Sequence, residues 1–343
     1  MSARTSFHAN RLRQELSLRN RHYARGRAHV ESYGDAPVIV YAPDGLRHGN
    51  FFDAAYKAIS DRPDWMRRFN KVHAQAARSL PKWARRWREL DSSMSSDALL
   101  MNVFCTPGVS DSKSLQGALG IASGLTPDFG WRARVPLAKG RFDRTEVDMR
   151  LGSLLAEAKL TEADFQTRET AIVESYRDFD EVFDRELLPT VEIATARRKE
   201  ASEFPEDYSQ EFESAAEDQG DPAMFYSPAV ERPLLDRVTG RDASPGMIAY
   251  ASYQLIRNVL AAYAQGCSFC VIHDERRPDL REDWFQIVAA VKTAEMRVRL
   301  KVLTWQELAT FLPDELQTFL DLKYGIVAPG RSPSPIGDVI GAE

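Results

Sequence analysis

Residues 144–161 read RTEVDMRLGSLLAEAKLT. Two alternating or apolar runs flank Gly152-Ser153, a two-residue link with Gly at the first turn position, which is a hairpin signal. Centring the turn there puts Leu151 opposite Leu154, Asp148 opposite Glu157 and Glu146 opposite Lys159. Cross-strand partners share a face of a sheet, as do residues two apart on one strand. Four ionisable side chains are therefore expected on one patch.

Like charges directly opposite destabilise a sheet, so a purely structural hairpin would not juxtapose Asp148 and Glu157. A hard divalent cation such as Mg²⁺ or Mn²⁺, which takes oxygen ligands and keeps several waters, removes that repulsion. Lys159 adds a cation two residues past Glu157 on the same face, where it can orient a water and offset charge building on a phosphate. The alternative for the same residues is a solvated strand edge.

The surrounding chain sets the scale. With 343 residues, 43% hydrophobic and 28% charged, it has the composition of a soluble globular protein of one elaborated domain or two. No apolar run has the length of a membrane span and no secretory signal stands at the start, so the expected location is the cytoplasm. The three cysteines are too few for a disulfide framework, and the lone CxxC of Cys267 and Cys270 lies in an apolar run that reads as a buried strand. Residues 1 to 90 hold 18 Lys and Arg against 8 Asp and Glu, although the whole chain has a net charge of −5. Phosphate neutralisation would fall in this basic part, where WMRRFNKVH and PKWARRWREL interleave cations with aromatic residues. An amphipathic helix with buried Trp and solvated Arg accounts for the same pattern.

Along the chain, residues 51–78 and 82–103 read as mainly helical, with Ser95-Ser96-Asp97 capping the apolar run ALLMNVFC. FGWRARVPL, residues 129–137, alternates as a strand does. A helical, acidic stretch is expected from Lys159 to about Leu188. Nine acids within residues 199–222 and little core material suggest an insertion, set at about 190–240. A helix is expected from Pro245 to Gln265 with Gln254, Arg257 and Asn258 on one polar stripe. There follow the strand SFCVIHD, a helix over 284–293, the strand RVRLKVLTW, a final helix over 305–324, and a disordered tail over 327–343. The expected domains are thus a basic, mainly helical region over 1–90 and a core over 91–326.

Asp148 followed by Glu157-Ala158-Lys159 on adjacent strands resembles the PD-(D/E)XK nuclease superfamily, and SSDALLMNVFC, YQLIRNVL and VLTWQELATFLPDELQTFLDLKYGI extend the similarity to a bacterial group of nuclease-like proteins over roughly residues 48–326. No Pro precedes Asp148, a departure from the motif's name. The resemblance implies an α/β, elaborated α+β fold: a restriction-endonuclease-like core with a mixed central sheet flanked by helices. It implies metal-dependent phosphodiester hydrolysis, with Asp148, Glu157 and Lys159 catalytic and Asp148, Glu157 and the Ala158 carbonyl holding Mg²⁺ or Mn²⁺. Glu146, Gln254, Arg257 and Asp97 are the supporting candidates. Glu146 is read as a second-metal ligand or a salt-bridge partner of Lys159, and Asp97 as a site acid or a first-turn acid of its helix. Asn102 and His273 are weaker candidates, the latter against an ordinary strand-end histidine.

The expected substrate is nucleic acid, with DNA ahead of RNA, in defence, restriction or repair; a homodimer or an assembly partner fits the same resemblance. A catalytically silent nucleic-acid-binding or protein-interaction module of the same fold is the competing expectation. No GxxxxGK[ST] loop, GxGxxG, HExxH or GxSxG is present, which argues against energy coupling, dinucleotide binding and zinc- or serine-dependent hydrolysis by those motifs.

Overall fold

A computed structural model describes residues 2–32, 37–71, 88–193 and 247–333. Its central sheet has five strands, in chain order β1 (Asp128–Arg132), β2 (Glu146–Leu151), β3 (Leu154–Ala158), β4 (Ser268–His273) and β5 (Leu300–Thr304). They lie side by side as β5-β4-β3-β2-β1. The β1–β2 and β2–β3 pairs are antiparallel, whereas β3–β4 and β4–β5 are parallel, so the sheet is mixed. Parallel neighbours need long crossovers. These crossovers carry helices α4 (Tyr253–Ala264), before β4, and α5 (Pro278–Ala290), before β5.

Both faces of the sheet are covered. On one, Leu151, Leu154, Ala156, Cys270 and Ile272 pack with Leu99, Leu100 and Val103 of α3 (Ser96–Phe104) and with Leu316, Phe319 and Leu320 of α6 (Asp314–Tyr324). On the other, Leu155, Phe269 and Val271 meet Val259 and Leu260 of α4 and Leu280, Trp284 and Ile287 of α5. Each such side chain, fully buried, contributes roughly 1.5–3 kcal/mol of apolar transfer. Leu12 and Leu16 of the long helix α1 (Ser2–Tyr23) join the first core, and α1 lies against α6.

The hairpin has the expected register: Leu151 faces Leu154, Arg150 faces Leu155 and Met149 faces Ala156. Gly152 turns the chain at φ +60°, a conformation that favours glycine, and a Cβ there would also come within 2.7 Å of Leu125 Cδ1, which would have to shift. Beyond Met149 the alternation of faces is broken. Phe129 and Met149 pack into the first core, but Trp131 and Val147, two residues further out on each strand, pack into the second. The switch falls on Gly130, at φ +61°, and on Asp148, which lies opposite it in the β1–β2 register.

The order helix, strand, strand, strand, helix, strand expected for the core is present, and the fold is a mixed α/β sheet flanked by helices. Several boundaries differ. The helix expected over 245–265 is a strand, Met247–Tyr250, followed by α4. Ser252, at φ +57°, breaks the helical path, and the strand is claimed by antiparallel pairing with Arg168–Glu169 and Thr190–Ile193. The acidic stretch after Lys159 contains only the one-turn helices Thr170–Val173 and Phe179–Val182. The expected final helix is two, Trp305–Ala309 and α6, with Pro313 at the start of α6. The helix expected over 284–293 begins earlier, at Pro278. Within 51–78, helices cover Asp53–Ser60 and α2 (Pro63–Phe69). The nine-acid segment 199–222, residues 81–87 of the second basic-aromatic stretch and residues 334–343 of the tail lie outside the described residues. Cys267 and Cys270 are buried free thiols in opposite cores, which suits core packing rather than a shared ion.

Candidate active site

Asp148 and Glu157 follow the outermost rung of β2 and β3, near enough for the Glu157 charge to act on Asp148. The outermost rung of the ladder is Met149 with Ala156, and one step further the Asp148 Oδ2 accepts a 2.7 Å hydrogen bond from the Ala158 N–H, tying the carboxylate across the gap. Glu157 is 2% exposed and Lys159 3%. The Lys159 Nζ lies 2.9 Å from Glu157 Oε1, and the other oxygen, Oε2, accepts a 2.8 Å bond from the Asn258 amide on α4. Lys159 follows directly on β3; its backbone N–H donates to the Ile272 carbonyl at 2.8 Å, and its own carbonyl accepts from the Trp305 indole at 3.0 Å. Pairing on both sides of the main chain fixes where the lysine side chain starts. Its ammonium also lies 5.7 Å from the centre of the Phe165 ring.

Burial, followed by the negative charges of Glu157 and then Asp97, holds the Asp148 carboxyl well above the usual carboxylate range, against the opposing pull of Lys159 and the Ala158 N–H. The oxygens of Asp148, Glu157 and the Ala158 carbonyl are of the chemical type that a hard divalent ion takes while keeping waters in its other positions. Among the described residues no group of three or more His, Cys, Asp and Glu is placed to hold a metal ion.

The supporting candidates divide. Arg257 is buried and spends its guanidinium on Asn258 Oδ1, at 3.1 Å from Nε and 2.6 Å from Nη2, and on the Glu146 carbonyl at 2.8 Å. Asn258, which the sequence places on the same stripe without a role, is thus the link between Arg257 and Glu157. Its position one residue past Arg257 on a helix facing the sheet was the available signal. Gln254 lies one turn earlier on α4, and its Oε1 is buried with no hydrogen-bond partner among the described residues.

Glu146 does not meet Lys159. The face switch at Asp148 turns it away, and Glu146 Oε2 instead lies 3.1 Å from Lys71 Nζ and 3.4 Å from Arg68 Nη1. Asp97 is a first-turn acid of α3, whose cap is Ser95, with Oγ accepting from the Ala98 N–H at 3.1 Å. Asp97 also hydrogen-bonds Arg68, and its charge reaches Asp148. Asn102 is committed to the backbone, donating to the Asn50 and Ala98 carbonyls and accepting from the Phe52 N–H at 2.7 Å. The His273 ring is buried, with Nδ1 2.8 Å from the Asp274 carbonyl, and burial pushes its pKa down. Within WMRRFNKVH, Trp65 is buried and Arg67 solvated, as an amphipathic helix requires, but Arg68 turns inward.

A mixed five-stranded sheet covered by helices on both faces is consistent with a restriction-endonuclease-like protein. The family model described as "Restriction Endonuclease associating with ARP" matches residues 17–325, and the chain belongs to that family. Nothing matches among the curated proteins or the solved structures.

Proposed function

We propose that this protein is a divalent-metal-dependent nuclease that hydrolyses phosphodiester bonds in DNA. The observation that carries this reading is the meeting of Asp148 and Glu157 beside the buried Lys159 ammonium, 2.9 Å from Glu157. Asp148, Glu157 and the Ala158 carbonyl would hold Mg²⁺ or Mn²⁺, which when bound supplies Lewis acidity toward water and a phosphate oxygen. Lys159 offers donors to the attacking water and to charge growing on the phosphate. Asn258 fixes the Glu157 carboxylate and is itself fixed by Arg257, so two buried side chains orient one ligand. In the reaction the water oxygen bonds to phosphorus as the opposite P–O bond breaks, the leaving oxygen keeps the bonding pair and takes a proton from solvent, and the water proton leaves to solvent. Gln254, on the same helix, is proposed as a further supporting residue.

The family description supports a role in restriction and a protein partner, ARP. No described helix is long and apolar enough to cross a membrane. A second reading has its own observation: both Glu157 oxygens are already engaged by protein donors, as in a site kept for its fold alone. Cleavage of supercoiled plasmid and of labelled single- and double-stranded oligonucleotides in Mg²⁺, Mn²⁺ or EDTA separates the two. Metal-dependent cutting is expected from the wild type and not from Asp148→Ala or Lys159→Ala. Retained cutting in both variants refutes the assignment, and binding without cutting by the wild type favours the silent module.

A further inference from the structure

Arg68 has an unusual setting for an arginine in a basic, aromatic segment. Its side chain is 10% exposed, and it is surrounded by acids rather than by solvent. It hydrogen-bonds Asp97, and its Nη1 lies 3.4 Å from Glu146 Oε2 and 3.7 Å from Glu89 Oε2. Asp148 is near enough for its charge to act on Arg68 as well. Lys71, more exposed, touches the same two glutamates at 3.1 and 3.8 Å. Three carboxylates from three separate segments therefore converge on one guanidinium, which cannot lose its proton.

The sheet makes room for this group. A Cβ on Gly130 would lie 3.3 Å from Glu146 Oε2 and 3.4 Å from Arg68 Cδ and Nη1. The position that switches both strands between cores is thus also the position that admits Arg68. Emptied of its arginine, the pocket would hold three carboxylates against Lys71 and the exposed Arg132, whose Nε lies 3.8 Å from Glu146 Oε1, and so keep a net negative charge and oxygen donors that suit a hard divalent cation.

We infer that Arg68 is the resident cation of the pocket formed by Glu89, Asp97 and Glu146, closing it to a second divalent ion, so that the chain holds one ion at Asp148 and Glu157. The count of one rests on the metal reading of the proposed function; the closure of the acidic pocket by Arg68 does not. In this arrangement Asp97 and Glu146 are ligands of a guanidinium rather than of a metal, and Arg68 is a positioning residue that balances the acids beside Asp148.

The test is Mn²⁺ binding to the full chain, followed by calorimetry and by electron paramagnetic resonance, which needs no turnover. Wild type should bind one ion and Arg68→Gln two; Arg68→Gln with Asp97→Asn should return to one. Guanidinium added to Arg68→Gln should displace the second ion and leave the first. Two ions in the wild type, or one ion in both the wild type and Arg68→Gln, overturn the inference. No ion in the wild type but one in Arg68→Gln upholds Arg68 as the pocket's cation and refutes the metal reading of Asp148 and Glu157. If Arg68→Gln folds only with a cation, its melting temperature must climb with Mn²⁺ where that of the wild type does not; failure to fold at any Mn²⁺ concentration counts against the inference.

Discussion

Asn258→Ala probes the polar bridge behind Glu157. The side chain is fully buried and joins two charged groups: its amide donates to Glu157 Oε2 at 2.8 Å, and its oxygen accepts from Arg257 at 2.6 and 3.1 Å. A hydrogen bond to a charged group is worth roughly 1.5–3 kcal/mol, and both charged partners stay buried when Asn258 is truncated. The expected loss of stability is therefore about 3–5 kcal/mol, corresponding to a fall in melting temperature of roughly 4–7 °C for a chain of this size. Loss of a group that orients a ligand should also weaken Mn²⁺ binding by roughly 10–100-fold. Denaturant unfolding at pH 7 without metal measures the first effect, and Mn²⁺ titration of the folded variant measures the second. A stability loss below about 1 kcal/mol would mean that neighbours or water replace the bridge, and the reasoning about Glu157 would fail. Combining Asn258→Ala with Glu157→Gln should cost less than the sum of the two single changes, because the charge left unpaired is gone.

Asp148→Asn should raise the melting temperature of the metal-free protein above the usual carboxylate range. A native carboxyl pKa held above its unfolded value means that native stability is lost as pH rises through that window, and the amide removes the loss. Melting curves at acid and neutral pH check it: the gain should vanish at acid pH. Lys323 is buried with Nζ 2.7 Å from Asn20 Oδ1 and 4.5 Å from the Tyr41 ring centre, and burial lowers its pKa well below the usual lysine value. The unfolded chain then binds the extra proton, so stability rises with pH up to the ordinary lysine range; Lys323→Met should be more stable than wild type at pH 7 and lose that advantage near pH 11, read by urea unfolding. Gly130→Ala places a Cβ at φ +61° and against Glu146 and Arg68, and should cost about 2 kcal/mol or more in thermal unfolding.

The hairpin was legible because its determinants are local. Gly152-Ser153 fixed Leu151 opposite Leu154, and counting outward holds to Met149 opposite Ala156, with Asp148 next and near enough to feel the Glu157 charge. The counting failed one step later, at Glu146, because the switch of faces depends on Gly130, eighteen residues before Asp148 and on another strand. Arg68 was misjudged for a related reason: helical periodicity distinguishes the buried Trp65 from solvated neighbours but does not tell a solvated arginine from one buried against acids. The strand Met247–Tyr250 was hidden in a helical reading because its partners, Arg168–Glu169 and Thr190–Ile193, are remote in sequence. Asn258 lay on the correct stripe of α4, but only the packing of that helix against β3 selects it over Gln254 as the partner of Glu157.

The small antiparallel sheet has a consequence for how this chain can vary. Ile193 and Met247 are partners on one rung, so the backbone leaves and re-enters the described structure at adjacent strand ends. Chain inserted at a closed neck of this kind changes the path between two neighbouring points without moving either of them. The pairing of Thr190–Ile193 with Met247–Tyr250 therefore holds these two strand ends side by side whatever the length of chain that joins them.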